Sequence, residues 1–201
     1  MYFIGITGGV GTGKSEVMHI LEEREDTRVL LADEVAHLLM QKGQPCYKQI
    51  IKEFPDPQLL AEDGEFDRIQ MAQWLFRDEN GRTRINQIVH PAVKEYVLHQ
   101  VETEREKGKL NFFFFEAALL IEEQYDAICD ELWYIDTDDT IRRSRLKASR
   151  GYSDEKISQI FASQKSREEF SAVCKEIITN NGTTDELKNQ IYNVLRRKIH
   201  E

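Results

Sequence analysis

Cysteine is scarce in this chain. Cys46, Cys129 and Cys174 are three in 201 residues, far apart and without a CxxC pair. Such spacing argues against a disulfide framework or a zinc cluster and fits a reducing compartment, with the thiols as core residues. Long apolar runs are also lacking. The stretch Tyr2 to Ile6 is too short for a signal h-region and has no basic segment before it, and no later run approaches the length of a membrane span. A soluble, cytoplasmic protein is expected. Positive charge is in deficit, with 27 Lys and Arg against 36 Asp and Glu and a net charge of −9, which argues against a surface that grips a nucleic-acid backbone electrostatically. A small nucleotide held in a local basic pocket remains compatible. There is no internal repeat and no low-complexity segment, and the length suits one α/β domain with insertions.

What is present organises the chain from its start. Gly8-Gly9-Val10-Gly11-Thr12-Gly13-Lys14-Ser15 has the spacing of a glycine, four residues, Gly-Lys and a hydroxyl residue. The apolar Tyr2 to Ile6 reads as a buried strand before it. Glu16 to Glu23, with Val17, Ile20 and Leu21 at helical spacing, reads as the helix after it. Strand, glycine-rich loop and helix in that order are what a phosphate cradle needs. Glycines keep side chains away from the loop amides, which with the positive end of the helix dipole would bind anionic oxygens. Lys14 would bridge terminal phosphates and the Ser15 hydroxyl would ligate Mg²⁺. The alternative, a chance match with a glycine-rich turn, is disfavoured by that context.

Further along, Arg28 to Ala32 reads as a second strand, with Asp33 where it gives way to a helix from Glu34 to Gln41. In open α/β sheets ligands bind at that carboxyl edge, so Asp33 is a candidate active-site carboxylate; equally it could cap the helix. Residues 43–108, broken by Gly43, Pro45, Pro55-Asp56-Pro57 and Gly64, read as a helical insertion. It would contain a helix over Asp67 to Phe76 and a longer one from His90-Pro91 to about Lys107, with Pro91 in its first turn. His90 before that helix could face a ligand or be structural. Asn111 to Phe115 reads as a strand buried on both faces, ending at Glu116 on the ligand edge, and Leu132 to Asp136 as the next. After it comes a basic helix with Arg142, Arg143, Arg145, Lys147 and Arg150, a break at Gly151 and a helix from Ser153 toward Gln164. This pair reads either as a mobile lid whose arginines reach phosphates or as solvated helix faces. Glu176 to Thr179 reads as the last strand, Asn180-Asn181-Gly182 as its turn and Asp185 to Ile199 as the closing helix.

Taken in order, the glycine-rich segment from Gly5 to Ser15, Ala32-Asp33, His90-Pro91, Leu119-Leu120-Ile121-Glu122, the Arg-rich segment with Gln164 and Asn180-Asn181-Gly182 resemble the dephospho-CoA kinase family over nearly the whole length. The resemblance implies an α/β P-loop NTPase fold, a mostly parallel five-stranded sheet flanked by helices, with an acceptor-binding helical insertion and a lid. On this basis the core would comprise about 1–36, 110–137 and 174–201, the insertion about 37–109 and the lid about 138–173. The implied reaction is ATP- and Mg²⁺-dependent phosphorylation of the ribose 3′-hydroxyl of dephospho-CoA, by a monomer or weak homo-oligomer. Catalysis would fall to Asp33, Lys14, Arg142 and Arg145, with Arg150 as a further lid residue. ATP would be held by Gly9, Gly11, Thr12, Gly13, Lys14, Ser15, Glu16, Asn180 and Gly182, and the acceptor by Thr7, Asp33, His90, Glu116 and Leu119. A kinase for another small alcohol or nucleotide, or a nucleotide-dependent switch without acceptor chemistry, stays open. The chain departs from the family pattern in several places. Glu16 stands where Thr is usual, Glu116-Ala117-Ala118 lacks a common proline, Leu31 and Thr179 stand where Asp is common, and Ser149 takes the place of a lid Arg. Glu16 is expected to point away from the phosphates or to be held by a neighbouring Lys or Arg.

Overall fold

Five strands form one sheet in the order β2-β3-β1-β4-β5, with β1 (Tyr2–Thr7), β2 (Thr27–Leu31), β3 (Phe112–Glu116), β4 (Glu131–Asp136) and β5 (Glu176–Thr179). The computed structural model describes residues 1–200. β1 pairs in parallel with both β3 and β4, and β4 with β5, so the strand that feeds the glycine-rich loop lies in the middle of the sheet. Phe3, Ile4, Ile6, Phe112 to Phe115 and Trp133 are fully buried on that central surface, as near-continuous apolar strands of a covered parallel sheet must be. The aromatic run is core, with Phe114 edge-on to Trp133 at 5.4 Å between centroids.

The chain divides into two compact units, residues 1–30 with 104–201 and residues 31–103. The first holds the sheet with α1 (Lys14–Glu22), α6 (Asp139–Arg150), α7 (Asp154–Ala162), α8 (Arg167–Val173) and α9 (Thr184–Ile199). Its basic helix ends as expected at Gly151, whose left-handed backbone caps α6, and Ser153 caps α7 by accepting from the Lys156 N–H. α8 goes beyond the helices anticipated. A capping box opens it, with Ser166 accepting from the Glu169 N–H and the Glu169 carboxylate accepting from the Ser166 N–H.

The second unit is helical, with α2 (Ala32–Leu39), α3 (Pro45–Glu53), α4 (Arg68–Arg77) and the long α5 (Glu79–Lys107), whose last turn from Glu104 belongs to the first unit. Two expected boundaries are corrected here. α2 begins at Ala32, with Leu31 at the N-cap, so Asp33 lies inside the first turn rather than before the helix. α5 begins at Glu79 instead of at His90-Pro91, and Pro91 sits in its interior. Proline there removes one helical hydrogen bond, at a cost near 3 kcal/mol. The burial of Ile85, Ile88, Val89, Val93, Val97 and Val101 along one face offsets that cost and keeps the helix continuous. α4 starts as expected, Asp67 accepting from the N–H groups of Ile69 and Gln70.

Candidate functional site

The loop between β1 and α1 is shaped by glycine where the backbone demands it. Gly13, at the N-cap of α1, has φ of 87°, and a Cβ there would run into the Asn180 amide. Its neighbour Thr12 anchors the loop from behind. The Thr12 carbonyl accepts from Thr137 Oγ1 at 2.9 Å, Asn180 Nδ2 at 2.9 Å and Arg145 Nη1 at 3.3 Å, while its own hydroxyl donates to the Gly9 carbonyl at 2.9 Å. Arg145 also donates to the Asn180 carbonyl at 3.1 Å. Asn180 and Arg145 thus brace the loop and the start of α1. Gly182 follows in the turn beside Asn180, where an added Cβ would meet the Glu186 carboxylate of α9.

Lys14 opens α1 and its ammonium folds back over the loop, donating to the Gly8 carbonyl at 2.9 Å with Glu116 Oε1 at 3.6 Å. Burial holds its pKa below the ordinary lysine range; Glu116 works against that, and Arg142 and Arg150 reinforce it. Ser15 is exposed in the same first turn, where helix N–H groups have no intrahelical acceptor. The Glu16 carboxylate has no hydrogen-bond or ion-pair partner among the described residues, so of the two arrangements expected for it no Lys or Arg holds it. An acidic residue in a first turn is favourable with the helix dipole, which needs no such partner. Thr7, at the end of β1, is buried with its hydroxyl lacking a partner among the described residues, a cost of about 1–3 kcal/mol that a bound group could remove.

From α6, Arg142 reaches the loop. Its Nε donates to the Val10 carbonyl at 3.1 Å and its Nη2 to Gln164 Oε1 at 2.8 Å, and the Val10 N–H donates to the same Gln164 oxygen at 3.2 Å. Of the two arginines expected in catalysis, Arg142 thus lies against Val10 and near Gly9, where an added Cβ would strike its guanidinium, and Arg145 lies behind Thr12. Glu116 ends β3 beside Lys14, and Leu119 is exposed in the turns that follow. Thr137, Val10 and Gln164 went unread as site residues because their contacts run to loop backbone atoms or to one another across 22 to 154 positions of sequence. Ser15 is the residue in this loop with a free hydroxyl for Mg²⁺, and a cradle of this kind fits a metal carried in by phosphates. No cluster of three or more His, Cys, Asp or Glu suited to a metal occurs among the described residues.

Strand, glycine-rich loop, lysine and helix in this arrangement are those of a P-loop fold, and the dephospho-CoA kinase (CoaE) family model matches residues 2–186. The chain belongs to the dephospho-CoA kinase family. A dephospho-CoA kinase of Symbiobacterium thermophilum is 34% identical over 191 residues, 95% of this chain and 79% of that protein. One from Shouchella clausii is 31% identical over 198 residues, 98% of this chain and 99% of that protein. The solved dephospho-CoA kinase of Campylobacter jejuni superposes with a TM-score of 0.73 at 20% identity, covering 96% of this chain and 95% of that one, which supports the fold.

Asp33 and His90 belong to the helical unit. Asp33 makes no side-chain cap, so what it contributes to α2 is charge in the first turn, and His90 is half-buried within α5. That unit also contains a cavity of about 510 Å³ lined by His37, Met40, Phe66, Arg68, Met71 and Leu75 among others. Arg68 Nη2 lies 2.6 Å from His37 Nε2, and with Gln41 and Glu65 they give the wall a polar part alongside Met40, Phe66, Met71, Ala72 and Leu75.

Proposed function

We propose that this chain transfers the γ-phosphoryl group of ATP to the ribose 3′-hydroxyl of dephospho-CoA, the last step of coenzyme A synthesis. The observation that carries this reading is a family match over residues 2–186 falling on a cradle whose lysine is buried against Gly8 and Glu116. Phosphoryl transfer of this kind is largely positioning and charge neutralisation. Gly9, Gly11, Thr12, Gly13, Lys14 and Ser15 would hold the phosphates and Arg142 would add its charge from α6, while Arg145 would keep loop and α6 together through Thr12 and Asn180. Mg²⁺, bound at Ser15, would neutralise further charge on the phosphates. Asp33 would accept or orient the proton of the acceptor hydroxyl. Thr7, His90, Glu116 and Leu119 would serve the acceptor, and the cavity in the helical unit, with Met40, Phe66, Met71 and Leu75 in its apolar lining and Arg68 and Glu65 in its polar lining, would take part of it.

ATP and dephospho-CoA are then the small-molecule partners of a cytoplasmic enzyme that works as a monomer or weak homo-oligomer without nucleic acid or membrane. No helix among the described residues is long and apolar enough to cross a bilayer. One coupled assay tests the reading. With ATP, Mg²⁺ and dephospho-CoA, coenzyme A should accumulate in step with ADP. Phosphorylation of a different alcohol from an acceptor panel would move the chain to another substrate, and slow ATP hydrolysis with no phosphorylated acceptor would replace the kinase with a switch.

A further inference from the structure

We propose that Gln164 is a positioning residue that aims the Arg142 guanidinium at the phosphate loop, an inference that rests on the role given to Arg142 above. Three hydrogen bonds close a ring: Gln164 Oε1 accepts from the Val10 N–H at 3.2 Å and from Arg142 Nη2 at 2.8 Å, and Arg142 Nε donates to the Val10 carbonyl at 3.1 Å. The remaining guanidinium nitrogen, Nη1, donates to Asp139 at 2.9 Å, and the Phe161 ring centroid lies 3.9 Å from the guanidinium carbon. A planar fork held in its plane by Val10, Gln164 and Asp139, and on one face by an aromatic ring, has a single orientation. The turn that ends α7 supplies two of these contacts together, since the Gln164 N–H donates to the Phe161 carbonyl at 3.3 Å. Gly9 makes room for the ring, because a Cβ there would strike the guanidinium and come within 2.9 Å of Gln164 Oε1.

An amide suits this place for an electrostatic reason. Its oxygen accepts from both donors without carrying charge. A carboxylate in the same position would accept the same two bonds more strongly, yet would add a second anion, less exposed than Asp139, to the guanidinium and set a negative group against amides meant for phosphate. Holding the segment down and aiming its charge are therefore separable.

Gln164→Leu and Gln164→Glu are compared in wild-type and Arg142→Ala backgrounds by melting temperature, KM for ATP and kcat for coenzyme A formation. Misplaced catalytic groups cost on the order of 10- to 100-fold, and kcat of Gln164→Leu should fall by that much. Gln164→Glu should melt at or above the wild-type temperature while its kcat stays low. With Arg142→Ala already present, adding Gln164→Leu should change kcat by less than about twofold, because the guanidinium it acts through is gone. The Glu variant keeps both hydrogen bonds and decides the matter even where the Leu variant fails to fold. Wild-type kcat in Gln164→Leu, recovery of kcat together with melting temperature in Gln164→Glu, or equal losses with and without Arg142 would each overturn the proposal. A fully active Arg142→Ala would remove the role of Arg142 itself and Gln164 with it. A loss at Arg142 with none at Gln164 would remove the positioning role alone.

Discussion

Lys14 carries its charge in a buried place, and the direction of its pKa shift makes that testable. Burial lowers the value, so below it the native state bears the cost of a desolvated ammonium, and as pH rises through it that cost is relieved and stability gains. Activity runs the other way, because the discharged lysine no longer attracts phosphate. Glu116 is the group that opposes the shift, at 3.6 Å. In Glu116→Gln the alkaline limb of kcat/KM for ATP, which reports the free enzyme, should therefore move to lower pH. A limb that stayed in place or moved up would remove Glu116 from the electrostatics of the cradle. Glu16 offers a second test in the same turn. Its carboxylate has no partner among the described residues, so Glu16→Thr should leave ATP affinity unchanged or improve it in a titration of the purified protein. A marked loss would reveal a role for the carboxylate that its surroundings do not suggest.

Elements were legible where a local rule fixes them and illegible where tertiary packing overrides it. The cradle could be read because its glycines and its lysine sit at fixed spacing, and the strands because Phe112 to Phe115 and Leu132 to Ile135 are apolar on both faces. The start of α5 could not, since Pro91 reads as a first-turn residue and only the buried face from Ile85 to Val101 carries the helix through it. α8 had a signal in Ser166 and Glu169, three apart, but seven residues give no periodicity to read. The contacts of Arg142 with Val10 and Gln164 depend on how α6 and α7 pack, which spacing alone does not reveal. Packing also places charge within the core. Lys198 of α9 lies 2.6 Å from Glu131 Oε1 of β4, with both side chains buried, and the Trp133 indole donates to the same carboxylate at 2.6 Å. Burial would push the Glu131 pKa up, but hydrogen bonds from Lys198 and Trp133 more than offset this and hold it below the ordinary carboxylate range. Lys198→Met leaves that carboxylate without its buried cation and should cost about 3 kcal/mol, read from the denaturant midpoint. Adding Glu131→Gln should return part of it, and a single variant as stable as wild type would show that α9 is held by its apolar face alone.

At the scale of the whole molecule, the cradle and the proposed proton acceptor belong to different compact units, so nucleotide binding and transfer should come apart under mutation. Lys14→Ala acts on the first unit: transfer should fall by several orders of magnitude. The thermal stabilisation by ATP should shrink with it, about 2.7 kcal/mol being expected for a wild-type protein at a hundredfold excess over Kd. Asp33→Asn acts on the second. Asp33 caps nothing and contributes only charge to the first turn of α2, so its loss should cost about 0.3–1 kcal/mol of stability. The ATP-induced rise in melting temperature should equal that of wild type, because no part of the loop from Gly8 to Ser15 has been touched. Loss of a positioned base typically lowers the rate by roughly 10² to 10⁴, and transfer to dephospho-CoA should fall in that range. One preparation of each variant, read for melting temperature with and without ATP and for coenzyme A formed, separates the two contributions. An Asp33→Asn protein that binds ATP and transfers at the wild-type rate would leave Asp33 as a helix-dipole residue. The search for a base would then turn to Glu116, which stands beside Lys14 at the end of β3.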